Sequence, residues 1–197
     1  YSLRRFREDG YSKEISLRQA DLGTKDRMLQ AVLLSQYRRK VAEANGIHLK
    51  PVILMKSRRI PDSIANEKEF HELIENLSSA DVNALKQGVG NDETLAGALD
   101  YIFEVRGMSA SDLVREIQLD FSPEKVVNVN RREDLTRQQI LLNTLEDESN
   151  EIRVVFAVDK LNEGWDVLNL YDIVRLYDTR DSKSGKLGRT TMQEAQL

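Results

Sequence analysis

Cysteine is absent from the 197 residues, histidine occurs only at His48 and His71, proline three times and tryptophan once. Without cysteine there is no thiolate nucleophile, no cysteine-ligated zinc or iron–sulfur cluster and no disulfide, which fits a cytoplasmic protein. Two histidines argue against a His-rich metal site. No apolar run approaches the roughly 18 residues that span a bilayer, and the basic N-terminus lacks the apolar stretch of a signal peptide. Internal repeats and low-complexity tracts are likewise missing. What is there is globular: 40% apolar and 31% charged residues. The length suits one sizeable domain with room for an insertion. The chain opens at Tyr1 without a methionine and stops in a segment that looks unfinished, and it reads as a piece of something larger.

A net charge of -4 conceals a strong asymmetry. Residues 1–60 hold 14 Lys/Arg against 6 Asp/Glu, and residues 61–124 hold 4 against 14. A uniformly acidic protein repels nucleic acid, whereas a basic third can form a local phosphate-binding surface. The basic clusters are Arg4-Arg5-Phe6-Arg7, Arg38-Arg39-Lys40, Lys56-Ser57-Arg58-Arg59 and Lys183-Ser184-Gly185-Lys186. Taken singly, each also reads as a solvated helix face or loop tip.

Met28, Val32, Leu33, Tyr37 and Val41 fall at helical spacing, and Gly46 follows as a C-terminal stop. Pro51 to Met55 is a continuous apolar run, the pattern of a strand buried on both faces of a parallel sheet. From Ser63 the spacing of Ile64, Phe70, Leu73, Ile74 and Leu77 predicts a helix. Residues 79–124 read as further short helices, with caps at Ser79-Ala80-Asp81 and Ser109-Ala110-Ser111-Asp112 and punctuation at Gly88, Gly90 and Gly107. Lys125 to Val129, Ile152 to Val158 and Tyr171 to Tyr177 read as three more strands, with a helix over 135–145 between the first two. Thr191-Met192-Gln193-Glu194 resembles a capping box opening a last helix. Strands alternating with helices imply right-handed crossovers, a mainly parallel sheet and ligands at the carboxyl ends of the strands. Those ends are Lys56-Ser57, Asn130-Arg131-Arg132, Asp159–Asp166 and Asp178–Arg180.

The segment Val155 to Leu170, VFAVDKLNEGWDVLNL, carries the most chemistry. A buried strand runs into a polar loop that turns back at Gly164-Trp165-Asp166. Gly164 permits close approach of a phosphate or ribose, and Asp166 can accept from a hydroxyl or fix an arginine. By residue chemistry alone the same loop equally reads as a turn glycine, a core tryptophan and a capping aspartate.

This segment resembles the fifth motif of superfamily 2 helicases and translocases, in which a buried strand ends in an Ala-Thr-Asp-like triplet and leads to Gly-x-Asp. Ala157 and Asp159 stand at the outer positions of that triplet, with Val158 in the place of Thr, and Gly164 and Asp166 match the Gly-x-Asp. The Asn-Glu-Gly-Trp-Asp wording is similar to the Res subunits of type III restriction enzymes. Tyr1-Ser2-Leu3 through Asp9-Gly10-Tyr11 resembles the exit from the first motor domain of that group. Pro51 through Ser57 resembles the fourth motif, and Thr191 through Gln196-Leu197 the approach to the sixth, Gln-x-x-Gly-Arg-x-x-Arg.

The resemblance implies a RecA-like three-layer αβα fold with a mainly parallel sheet. Residues 1–24 would be the exit from a missing first motor domain, and 25–197 a truncated second RecA-like domain with a helical insertion at about 79–124. It implies a nucleotide and interdomain cleft at Gly164, Asp166 and Gln196, and contact with the DNA backbone through Lys56, Ser57, Asp159 and Glu163. For the parent protein it implies ATP and Mg²⁺ as cofactors and endonuclease activity. The implied partners are DNA, the first RecA-like domain of the same parent and a modification (methyltransferase) subunit. The chain departs from a complete motor. Its Ser184-Gly185-Lys186-Leu187 is no phosphate loop, Asn91-Asp92-Glu93-Thr94 follows no apolar strand, and no Gly-Arg-x-x-Arg is present. Phosphoryl transfer needs the phosphate cradle, the Mg²⁺-holding acid and the arginine finger together, so this chain alone is expected to be inactive. The reading that competes from another class is a non-catalytic Rossmann-like interaction module with the helical insertion as its working surface.

Overall fold

The computed structural model of the chain describes residues 23–90, 92–131, 135–158 and 167–177. In chain order the elements are α1 (Thr24–Ala44), β1 (Val52–Lys56), α2 (Ile60–Glu75), α3 (Ser79–Gly88) and α4 (Glu93–Asp100). They continue with a π-helical turn (Tyr101–Val105), α5 (Ala110–Asp120), a 3₁₀ turn (Pro123–Lys125), β2 (Val126–Asn128), α6 (Leu135–Asn143), β3 (Val154–Ala157) and β4 (Leu170–Arg175). Each of the four expected strands is present, within two residues of its expected start. The helix expected from Ser63 begins earlier, at Ile60, because Pro61 suits the first turn, where its missing N–H costs no hydrogen bond.

The strands form one sheet in the order β2-β3-β1-β4. Every pairing is parallel, with Met55 opposite Phe156 on one side and Val174 on the other, and Asn128 opposite Phe156. Alternation along the strands splits the apolar residues between two cores. Ile53, Met55, Val154 and Phe156 join a large cluster with Met28, Val32 and Leu33 of α1, Phe70 and Ile74 of α2, Leu99 of α4 and Ile117 of α5. Val52, Leu54, Val127, Val155 and Ala157 pack on the opposite face with Leu145, Ile152 and Val167, joined by Leu141 and Leu142 of α6. The result is a three-layer α/β sandwich in which both faces of β1 are covered, as its unbroken apolar run requires. It is the architecture expected of a RecA-like domain.

The first half of α1 is enclosed on nearly every side: Ala31 through Gln36 are all buried. A helix in that position carries apolar residues around its circumference rather than on one stripe, which is why its periodicity is blurred. The helix ends in a Schellman arrangement, with Gly46 N–H donating to Glu43 and Ile47 N–H to Ala42, and Gly46 takes φ +70° to close it.

The helical insertion is not a peripheral decoration. Val82, Leu95, Leu99, Ile102, Leu113, Ile117 and Phe121 all lie in the main core. Caps start its helices: Ser78 and Asp81 form a reciprocal capping box on α3, one residue before the expected Ser79, and Ser109 caps α5 as expected.

Candidate functional site

Because all four strands run the same way, their carboxyl ends meet on one edge. Backbone hydrogen bonds continue past the strands there: Ser57 N–H donates to Ala157, Leu176 N–H to Lys56 and Val129 N–H to Phe156. Lys56-Ser57, Asn128 to Arg131, Ala157-Val158 and Arg175 to Tyr177 therefore share this rim. The expected convergence of strand tips is present for the described residues.

Beneath the rim lies a network of buried polar side chains between α2 and the tips of β2 and β3. Glu67 of α2, with its side chain 8% exposed, is its hub. Its Oε2 accepts from Asn128 Nδ2 at 3.0 Å and from Arg131 Nε and Nη2 at 3.1 and 2.9 Å. His71 Nε2, one helical turn away, stands 3.8 Å from Oε1. Burial pushes the Glu67 carboxyl up, but its contact with His71, the hydrogen bonds from Arg131 and Asn128, and the Arg131 charge outweigh it and hold the group below the ordinary carboxylate range.

Asn128 and Asn130 carry the network across to the sheet. Asn130 Nδ2 donates to Ser63 Oγ at 3.0 Å and to Asn128 Oδ1 at 3.1 Å, and its Oδ1 accepts from the Val158 backbone amide at 3.3 Å. Ser63 lies in the first turn of α2, and Asn128 Nδ2 also donates to its carbonyl at 3.3 Å. A strand whose tip carries Asn-x-Asn would strand several amide groups in a dry interior without these partners, and each would cost on the order of 1–3 kcal/mol.

The residues singled out from sequence fall as follows. Lys56 is only 2% exposed and Ser57 3% exposed, side by side at the β1 tip. Ser57 Oγ accepts from Asn66 Nδ2 at 2.8 Å, and Lys56 is engaged within the chain. Neither is the solvated strand exit that a basic cluster suggests. Among the described residues of this rim, Arg58, Arg59 and Arg131 are exposed to water and Arg175 partly so. Arg59 is 74% exposed and forms a two-pronged pair with Asp62, and Arg131 is 47% exposed while it holds Glu67. Asp159, Glu163, Gly164, Trp165, Asp166 and Gln196 lie outside the described residues, as do Arg132 and the capping box at Thr191.

The opposite edge of the sheet holds a second charged cluster. Arg153, at the start of β3, donates to Asp120 at 3.0 Å, to Ser35 Oγ at 2.9 Å and to the Pro51 carbonyl at 3.0 Å. Its guanidinium also lies 4.7 Å over the Phe121 ring. Arg39 and Gln36 share the same Asp120 oxygen, and Lys40 pairs with Glu116 at 2.8 Å. These contacts join α1, α5 and the strand starts, although Arg39 stays 32% exposed and also reaches Glu43 at the surface. Part of the basic third that suggested a phosphate surface, Arg39 and Lys40, is spent on it.

Sequence reasoning placed Asn130 at a strand end without giving it a role, and it missed Ser63, Glu67 and Asn128 as site residues. Two asparagines at the end of an otherwise apolar strand were the available signal, because a buried tip tolerates them only with fixed partners. Glu67 gave none: among Glu69, Glu72 and Glu75 it is indistinguishable from a solvated helix face.

No family model matches the chain, and no solved structure matches it. Over 99% of its length it is 34% identical to a protein of Haemophilus influenzae described as "Probable type III restriction-modification enzyme HindVIP Res subunit". The chain spans 42% of that relative's length.

Proposed function

Because the chain is related to the Res subunits of type III restriction enzymes, we propose that it is the second RecA-like motor domain of an ATP-dependent DNA translocase, the restriction and motor subunit of a type III system. The observation that carries this reading is the convergence of four parallel strand tips on one edge, with the fourth-motif residues Lys56 and Ser57 beside the β3 exit that leads into the fifth motif. The match to the Haemophilus protein supports it.

In this reading Gly164, Asp166 and Gln196 line the cleft that closes over a nucleotide held by the first RecA-like domain of the same parent. Lys56, Ser57, Asp159 and Glu163 face the DNA backbone, which is gripped without reading of sequence. Lys56 and Ser57 are enclosed in the present structure, so their contact with a phosphate belongs to a state in which the strand-tip edge opens, a movement of the kind that hinged domains make around ligands. Arg58, Arg59 and Arg131 already stand in water on that rim. ATP with Mg²⁺ would supply the energy of movement in the parent, in the cytoplasm, beside a modification subunit. Among the described residues no group of three or more His, Asp or Glu is placed to hold a metal ion. No described helix is long and apolar enough to cross a membrane.

Burial of the insertion's apolar faces in the main core removes the main attraction of the interaction-module reading. Nucleotide hydrolysis assays decide between the two. The purified 197-residue chain turns over no ATP, and the longer parent does so with stimulation by duplex DNA. Turnover by the chain alone, or a parent without it, overturns the proposal.

A further inference from the structure

The polar network under the rim does more than satisfy buried groups, because it joins a helix to the exit of a neighbouring strand. The single oxygen Oε2 of Glu67 holds Asn128 on one side of Asn130 and Arg131 on the other. Asn130 is thus bracketed, and both ends of its amide are engaged. The Nδ2 group is committed to Ser63 and Asn128, and Oδ1 receives the backbone N–H of Val158. Val158 is the first residue past β3, where the sheet ladder has ended and a backbone amide needs a partner from elsewhere. Asn130 supplies it.

We propose that Asn130 is a positioning residue that fixes where the chain leaves β3, and that Glu67 and Ser63 of α2 set the place of Asn130. The bearing of this exit on the proposed cleft rests on the reading of the chain as a motor domain. The consequence is a mechanical link. The first turn of α2 carries Ser63 and follows directly on the exposed Arg58 and Arg59, so a load on that rim is passed through Ser63 and Asn130 to the Val158 amide. A side chain that merely filled space at this position would not need a donor on one side and an acceptor on the other. Replacement by Asp keeps the acceptor for Val158 but sets a second oxygen against Asn128 Oδ1. Replacement by Ala removes both ends.

Amide hydrogen exchange of the 197-residue chain, resolved at Val158, tests the link without reference to any activity. Asn130→Ala accelerates exchange at Val158 by about tenfold, the effect expected from loss of one hydrogen bond of about 1.4 kcal/mol. The Val155 and Phe156 amides, held in the ladder, stay as they were. Should Asn130→Ala fail to fold, Glu67→Gln, which leaves Asn130 in place and weakens its bracket, accelerates Val158 by a smaller factor. Unchanged exchange at Val158 in the folded variant overturns the proposal. In the parent protein, Asn130→Ala lowers DNA-stimulated ATP turnover more than turnover without DNA, with the KM for ATP retained. Equal loss of both, or of neither, removes the mechanical link. A wild-type parent with no DNA-stimulated turnover refutes the motor reading instead, and the exchange at Val158 still decides the role of Asn130.

Discussion

Arg153 and Asp120 form a buried ion pair at 3.0 Å that ties the start of a core strand to the last turn of the helical insertion. Burial pushes the Asp120 carboxyl up, and the hydrogen bond from Arg39 together with the Arg153 charge pulls it below the ordinary range. Burial acts on Arg153 in the other direction and lowers its affinity for a proton. The pair is therefore a strong constraint on structure and a modest source of net stability.

Removing one partner exposes that distinction. Asp120→Ala leaves Arg153 enclosed without its carboxylate and costs about 3–5 kcal/mol in urea-induced unfolding. Substituting both members by apolar residues of similar volume costs much less than the sum of the two single changes. A double-mutant cycle in which the two losses simply add contradicts the network.

Acid acts on both clusters. Glu67 and Asp120 have folded-state affinities for protons below their unfolded values, so the stability they contribute is present in full above the unfolded carboxylate range of about 4 and falls as pH drops through the lower folded values. Unfolding free energy measured from pH 6 downward is flat until about pH 4–5 and then declines. In Glu67→Gln the decline is shallower. A slope unaltered by that substitution shows that Glu67 does not carry the linkage.

Phe70 joins the two halves of the main core, meeting Phe156 of the sheet at 5.8 Å and Phe121 of the insertion at 6.4 Å, both edge to face. Phe70→Ala costs about 3–5 kcal/mol, whereas Leu119→Ala, on an exposed position of the same insertion, stays within about 0.5 kcal/mol of wild type. Similar losses at the two sites contradict the assignment of the insertion's inner face to the core.

Most of the architecture was legible because apolar patterning is local. The runs at Val52 to Met55 and Val154 to Ala157 carry the pattern of strands covered on both faces, and both are. The burial of the insertion was hidden, since amphipathic helices read the same whether they cover a sheet or a partner. Charge misled in a specific way. Arg39 and Lys40 looked like a phosphate-binding surface and are committed to acidic groups of α5, which only the fold brings near. The rim was foreseeable from the parallel order of strands. The bracket around Asn130 was not, because its members are separated by more than sixty residues.

Hydrolysis of ATP by the parent protein, with and without duplex DNA, compared between wild type and Asp166→Ala, bears most directly on the motor assignment. The account predicts DNA-stimulated turnover that falls by about a hundredfold in the variant, the loss expected if Asp166 serves the nucleotide cleft as proposed. Equal turnover in the two proteins, or none in the wild type, contradicts it.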